Sequence, residues 1–167
     1  KTGLTPNKMI NQIVGLIVNV GRSFPFLILI IVLLPVTRLV MRSAITWQGA
    51  TFPLVIGAIP FFARLVETNL LSVENGKVEA ALMAGASNRR IRWSILVREA
   101  LPGIIQSVTV LAITLVGYSA MTGVVGAGGL GKMAIDYGYH RFQTDTLICS
   151  VVVIIIIVQL IQMIGDM

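Results

Sequence analysis

Charge is scarce in this chain. Only 12% of its 167 residues are Asp, Glu, Lys or Arg, while 56% are hydrophobic. A soluble domain carries about 25% charged and about 45–50% apolar residues. The polar surface needed to cover a soluble globule of this size is missing. That shortage excludes an ordinary cytosolic domain, a disordered chain and a nucleic-acid binder together, and it places the polypeptide in a membrane. Cysteine is nearly absent too. Cys149 stands alone in an apolar run, which excludes an internal disulfide and reads as a small hydrophobe in a helix. Acidic residues are the scarcer charge, seven against thirteen basic, for a formal net charge of +6. In a soluble protein such a surplus suggests a polyanion partner. In a membrane protein it marks cytoplasmic loops, because Lys and Arg bias retention on that side.

A signal peptide is also lacking. Lys1–Gln12 is polar, without an apolar run or a cleavage site of small residues. The chain opens on Lys1 without an initiator Met and closes at Asp166-Met167 directly after an apolar run. These ends suggest that one or more segments lie outside the sequence.

A spanning helix needs about 20 mostly apolar residues, and four segments qualify. The first runs over 13–40, interrupted by Gly15, Gly21-Arg22, Pro25 and Pro35, and reads as an interfacial turn followed by a kinked span. Thr46-Trp47-Gln48-Gly49 reads as an interfacial loop with Trp at headgroup depth. The second span, 52–71, carries Arg64 and Glu67 on one helical face. Ionisable groups in a membrane segment face a bundle interior, a water-filled path or an interface. A solvated position at the cytoplasmic mouth explains them equally well. The third span is 100–125, with Pro102 at a helix-starting position, and the fourth is 147–164. The fold class predicted is an all-α polytopic membrane protein formed as a single domain over 1–167.

The one long polar stretch, 72–99, holds Lys77, Arg89, Arg90, Arg92 and Arg98, five of the thirteen basic residues, and is therefore placed in the cytoplasm. It reads as a hairpin. A short helix with small residues on an exposed face is broken at Gly85 and followed by a basic second helix. Small side chains admit a partner's backbone closely and a glycine permits the sharp turn, so the first limb has the surface of a docking element, with Glu79 as a charged anchor near its tip. A helix lying on headgroups would need a stronger apolar stripe and more aromatics than this limb offers.

On the opposite side of the membrane, Gly126–Asp145 reads as a flexible or tightly turned glycine-rich loop. Its Gly-Ala-Gly-Gly-Leu-Gly-Lys-Met fits a phosphate-binding pattern except that Met133 replaces the required Ser or Thr. A true phosphate loop ligates Mg²⁺ through that hydroxyl and joins a parallel strand to a helix. Both features are lacking, and nucleotide binding is excluded.

Glu-Ala-Ala, three residues, Gly, nine residues and Ile is the spacing of Glu79, Ala80, Ala81, Gly85 and Ile95. It resembles the signature of type I ABC importer permeases. The Leu-Pro that usually follows the Ile falls on Val97-Arg98 and is absent, while a second Leu-Pro stands at Leu101-Pro102. Within that family the chain is similar to permease subunits of methionine importers over nearly its whole length. The similarity is carried by Arg22-Ser23-Phe24-Pro25-Phe26, by Pro60 to Glu67, by Glu99 to Gly103, by Leu115 to Met121, by the glycine run 126–131 and by Gly165-Asp166.

The resemblance implies a type I importer transmembrane domain with a cytoplasmic coupling-helix hairpin, one further helix before Lys1 and a few basic residues after the last helix. It implies a multi-pass protein of the bacterial cell membrane that works as two copies, with two cytoplasmic ABC ATPase subunits and an extracytoplasmic substrate-binding protein. The chain would bind no cofactor or metal and have no catalytic residue. ATP and Mg²⁺ would sit on the ATPase. Glu79, Ala80, Ala81, Gly85 and Ile95 would dock that ATPase. The path would run between the two copies, with Arg64, Glu67, Tyr118, Ser119, Met121 and Thr122 as candidate lining. The thioether of Met121 suits a sulfur-bearing substrate, and ordinary helix or lipid packing explains that residue equally well. Alternatives are a same-type permease for another small solute, a channel or secondary transporter using Arg64 and Glu67 as an ion site, and a membrane scaffold with a docking hairpin but no path.

Overall fold

A computed structural model describes residues 7–166. Lys1–Pro6, half of the polar opening stretch, and Met167 lie outside the described residues. The described residues are helical throughout, without strands. Asn7 caps α1 (Lys8–Ser23), its side-chain oxygen accepting from Ile10 N at 3.2 Å. The chain then breaks at Phe24-Pro25 and resumes as α2 (Phe26–Met41), bent by 105° from α1. The single kinked span expected over 13–40 is thus two helices. The physical reason is local: Pro25 offers no N–H, and Phe24 before it is held extended. Pro35, the other candidate kink, lies inside α2.

The four residues expected as an interfacial loop instead open a helix. Thr46 is the N-cap of α3 (Trp47–Ser72), its hydroxyl accepting from Gly49 N at 3.2 Å. α3 therefore begins five residues before the expected span. After α4 (Asn75–Met83) a second turn leads into one continuous helix, Asn88–Val125. That helix is made of α5 (Asn88–Arg90), a π-helical stretch Ile91–Leu96, α6 (Val97–Thr122) and a 3₁₀ turn Gly123–Val125. Pro102 does not start this helix, as expected from sequence, but lies inside α6. The helix runs through it with one backbone hydrogen bond missing, and just upstream the backbone widens, Val97 N–H donating to the Arg92 carbonyl five residues back.

The expected loop 126–145 is largely helical. Gly129–Met133 forms α7 and continues as a π stretch Ala134–Tyr139, before α8 (Thr144–Gly165). Gly126, Gly128 and Gly129 turn the chain at positive φ, while Gly131, facing Gly123 of the preceding turn, serves close approach. A Cβ on Gly131 would lie 2.0 Å from the Ala120 carbonyl oxygen, and one on Gly123 would lie 2.2 Å from Lys132 N.

α3 packs antiparallel to α6. Near the hairpin end, Asn69 Nδ2 donates to Ser107 Oγ at 2.7 Å and to the Leu65 carbonyl at 2.9 Å. α8 lies along the other side of α6, with Gly165 against Thr109. The buried residues are mostly small: Ala44, Ala50, Ala100, Ala127, Ser107, Thr109, Thr122 and Ser150, with Phe26, Ile30 and Ile91 as the larger exceptions. Small residues at helix contacts are how membrane helices pack closely, since burial of apolar surface gives no advantage between helices in lipid. Among the described residues, three helices are long and apolar enough to cross a membrane, or four if the bent α1–α2 pair is one span.

Candidate functional site

The hairpin is built by two helix signals placed back to back. At the end of α4 the Gly85 N–H donates to the Leu82 carbonyl and the Ala86 N–H to the Ala81 carbonyl, each at 3.0 Å. These are the two bonds of a Schellman stop, which needs a left-handed residue between helix and exit. Gly85 supplies it at φ +74°, and no atom lies within 4 Å of where its Cβ would be. Two residues later Ser87 starts the next limb, its hydroxyl accepting from Arg90 N. Stop and start are separated by a glycine and an alanine, so the turn is short and sequence-determined.

α4 itself has no buried residue. Glu79 and Ala80 are exposed, Ala81 is half-buried toward the second limb, and Ile95 is half-buried on the π stretch. The neighbouring Ile91 is fully buried, so the second limb is anchored and the first stands off it. At the start of α4, Lys77 Nζ donates to Glu99 Oε2 at 2.5 Å, spanning 22 residues of chain. That bond holds the Lys77 ammonium above its ordinary pKa of 10.5, opposed by desolvation and helped less by the charges of Glu99 and Glu74. An exposed helix, fixed at both ends and buried nowhere, with small Gly76 and Ala80 beside the exposed Leu82 and Met83, presents a face to another molecule.

The candidate path residues fall into separate places. Arg64 Nη1 donates to Glu67 Oε2 at 2.8 Å, and both side chains are nearly half exposed. The α3–α6 pairing sets them about seven residues, or ~10 Å of helix rise, from Tyr118. Tyr118 stacks on Phe26 with ring centroids 4.1 Å apart and planes 5° from parallel. Ser119 and Thr122 share a mostly apolar cavity of about 300 Å³ with Trp47, Leu54, Leu130 and Ile157. Both hydroxyls donate to their own helix backbone, Ser119 to the Val116 carbonyl and Thr122 to the Ser119 carbonyl. Met121 is exposed and lines neither that cavity nor the Tyr118 niche.

Sequence reasoning missed two constellations. One is the Asn69–Ser107 bond, whose second acceptor is the α3 backbone and whose tight seat requires Gly103: a Cβ there would lie 2.2 Å from Asn69 Oδ1. An Asn in an apolar helix was the available signal. The other is Thr37, buried to 2% exposure with its hydroxyl unpaired among the described residues. Nothing in the sequence distinguishes it.

Residues 2–167 match the family described as binding-protein-dependent transport system inner membrane component. The chain belongs to that family. Among relatives it is 50% identical to the "Probable D-methionine transport system permease protein MetI" of Vibrio cholerae, over 99% of this chain and 74% of that protein. It is 42% identical to the methionine import system permease protein MetP of Bacillus subtilis, over 100% of this chain and 75% of that protein. The fold superposes with a TM-score of 0.90 and 44% identity on a chain of the MetNI methionine ABC transporter, solved in inward-facing conformations, covering 96% of this chain and 74% of that one. This membership makes the chain an inner-membrane transport component, and the superposition gives it the type I ABC importer transmembrane fold.

Proposed function

We propose that the chain is the permease subunit of an ATP-driven importer of methionine or a close amino-acid relative. Two copies form the path, and on each copy α4 seats in a cytoplasmic ABC ATPase subunit. A substrate-binding protein delivers the amino acid from outside. The observation that carries this reading is the Schellman-stopped α4 at the family's Glu-Ala-Ala position, which has no buried residue and exposes Glu79, Ala80, Leu82 and Met83.

Glu79 and Ala80 touch the ATPase, Ala81 sets the spacing to the second limb, Gly85 fixes the turn, and Ile95 anchors it. ATP and Mg²⁺ belong to the ATPase, and this chain brings no nucleotide site or catalytic residue of its own. When the ATPase dimer closes on ATP, α4 moves with it and carries α6 and α3, opening the path between the copies to the other side. Ser119, Met121 and Thr122 on α6, with Tyr118 behind them, line that path toward its outer end, while Arg64 and Glu67 lie toward the hairpin. Because Ser119 and Thr122 spend their protons on their own backbone, the wall they present is largely apolar. Apart from it, the exposed Met121 thioether is a soft contact for a substrate that also carries one.

Uptake of labelled methionine into proteoliposomes tests the reading. Uptake should require the ATPase, ATP and the binding protein, and other amino acids should compete poorly. Uptake that persists without an ATPase would contradict it in favour of a channel or secondary transporter. ATP-driven uptake of a different solute would move the substrate and leave the mechanism.

A further inference from the structure

The hairpin has two compliant points between α4 and the membrane helix. One is the Gly85 turn, where a glycine at φ +74° stands in open space. The other is the π stretch Ile91–Leu96, whose wider backbone ladder packs less regularly than an α-helix. A push on α4 transmitted only through the covalent chain would cross both before reaching α6. The Lys77–Glu99 contact crosses neither. Lys77 sits in the first turn of α4, and Glu99 in the first turn of α6, beyond the π stretch and three residues before Pro102.

We propose that the Lys77–Glu99 ion pair is a strap that joins α4 directly to α6, bypassing the Gly85 turn and the π stretch, so that movement of the docked hairpin reaches the membrane helices. The proposal rests on the reading of the chain as an ATP-driven permease. Both side chains are about half exposed, so the pair adds little to overall stability and is screened by salt. Its effect is on geometry. It closes a loop of chain whose other fixed point is the buried Ile91, and it leaves α4, which has no buried residue of its own, with one preferred angle to α6. Lys77 and Glu99 are positioning residues.

The test is the ratio of methionine imported to ATP hydrolysed in the reconstituted complex with its ATPase and binding protein. Lys77→Met and Glu99→Gln should each lower the ratio about threefold, the scale of one exposed pair. ATPase content and hydrolysis rate should stay at the level of the unaltered protein, and Tm should fall only slightly. The exchanged pair, Lys77→Glu with Glu99→Lys, should restore the ratio, which a merely local structural role would not require. In the unaltered protein the ratio should fall as salt rises, and in the single variants it should not. Normal coupling in either single variant, or failure of the exchanged pair to recover it, would overturn the strap. Loss of the ATPase from the single variants would overturn it as well, by making the two residues part of the docking contact itself. Absence of ATP-driven uptake in the unaltered protein would overturn the underlying reading, a result distinct from any of these.

Discussion

The long helix Asn88–Val125 is flanked by a glycine-bearing turn at each side. Both turns need glycines at positive φ, Gly85 at one and Gly126, Gly128 and Gly129 at the other, but only the far turn also needs glycine for space. At the hairpin, Gly85 is demanded by conformation, with a left-handed φ and empty space around the missing Cβ. At the far end, Gly123 and Gly131 are demanded by space, since added Cβ atoms would fall 2.2 Å and 2.0 Å from backbone atoms of the facing element. The far turn is satisfied within the chain. The hairpin is complete only in its backbone, with α4 presenting a face that nothing in the chain covers. One is an element of the fold and the other is an element of an assembly. Substitutions should therefore separate stability from transport.

The largest effect belongs to the far turn. Gly131→Ala forces a methyl against a carbonyl that cannot move independently of α6, a cost of about 3 kcal/mol. Denaturation in detergent should show Tm lowered by about 10 °C, with uptake falling only as folded protein is lost. An unchanged Tm would remove the steric half of the comparison. Gly85→Leu should do the reverse. The left-handed turn then costs about 1–2 kcal/mol, so insertion should be retained and Tm should fall by only about 3–6 °C, while uptake falls about tenfold or more. Gly85→Asn, which tolerates that conformation, should retain most of it. Normal uptake by Gly85→Leu would count against the docking role.

The smallest effect sharpens the contrast in how the two ends are held. Both ends carry an ion pair, but Lys132–Asp136 at the far turn lies four residues apart along one helical stretch, whereas Lys77–Glu99 at the hairpin joins two separate helices. Lys77 is raised above 10.5 in the folded state, so its contribution is fully present below about that pH and is lost as pH rises through the raised value. The small Tm difference between the unaltered protein and Lys77→Met should be constant from neutral pH to about 10 and vanish above, with no counterpart at acid pH from Lys77. A difference that persists at high pH would assign the effect to packing of the lysine stem.

Where chemistry is local, the chain was readable. Gly85 within the Glu-Ala-Ala spacing announced the hairpin turn, and hydropathy announced α3, α6 and α8. The errors share a cause, which is that one residue type serves two ends. Glycine density over 126–131 reads as loop, and Gly126, Gly128 and Gly129 do turn the chain at positive φ, yet Gly131 lets α7 pack against α6. Thr46 followed by Gly49 carried an N-cap signal that the neighbouring Trp47 obscured. Of two prolines in the first apolar run, Pro25 breaks the chain, with Phe24 extended before it, and Pro35 is absorbed inside α2, a difference that residue type alone does not announce. Pro102 was read as a start because the helix around it also depends on the π stretch upstream, a register change with no residue signature. The path residues were the least legible. Tyr118 proved to be stacked on Phe26, while Ser119 and Thr122 face a separate cavity, an arrangement that depends on which helices meet.

The central claim is that α4 holds the ATPase. The most direct measurement is the amount of ATPase that co-purifies with the permease, for the unaltered protein and for Ala80→Trp, which places a bulky ring on the exposed face of α4 without touching the turn. The account predicts equal stoichiometry for the first and loss of the ATPase from the second, at unchanged Tm. An ATPase that stays bound at equal stoichiometry to Ala80→Trp would contradict it.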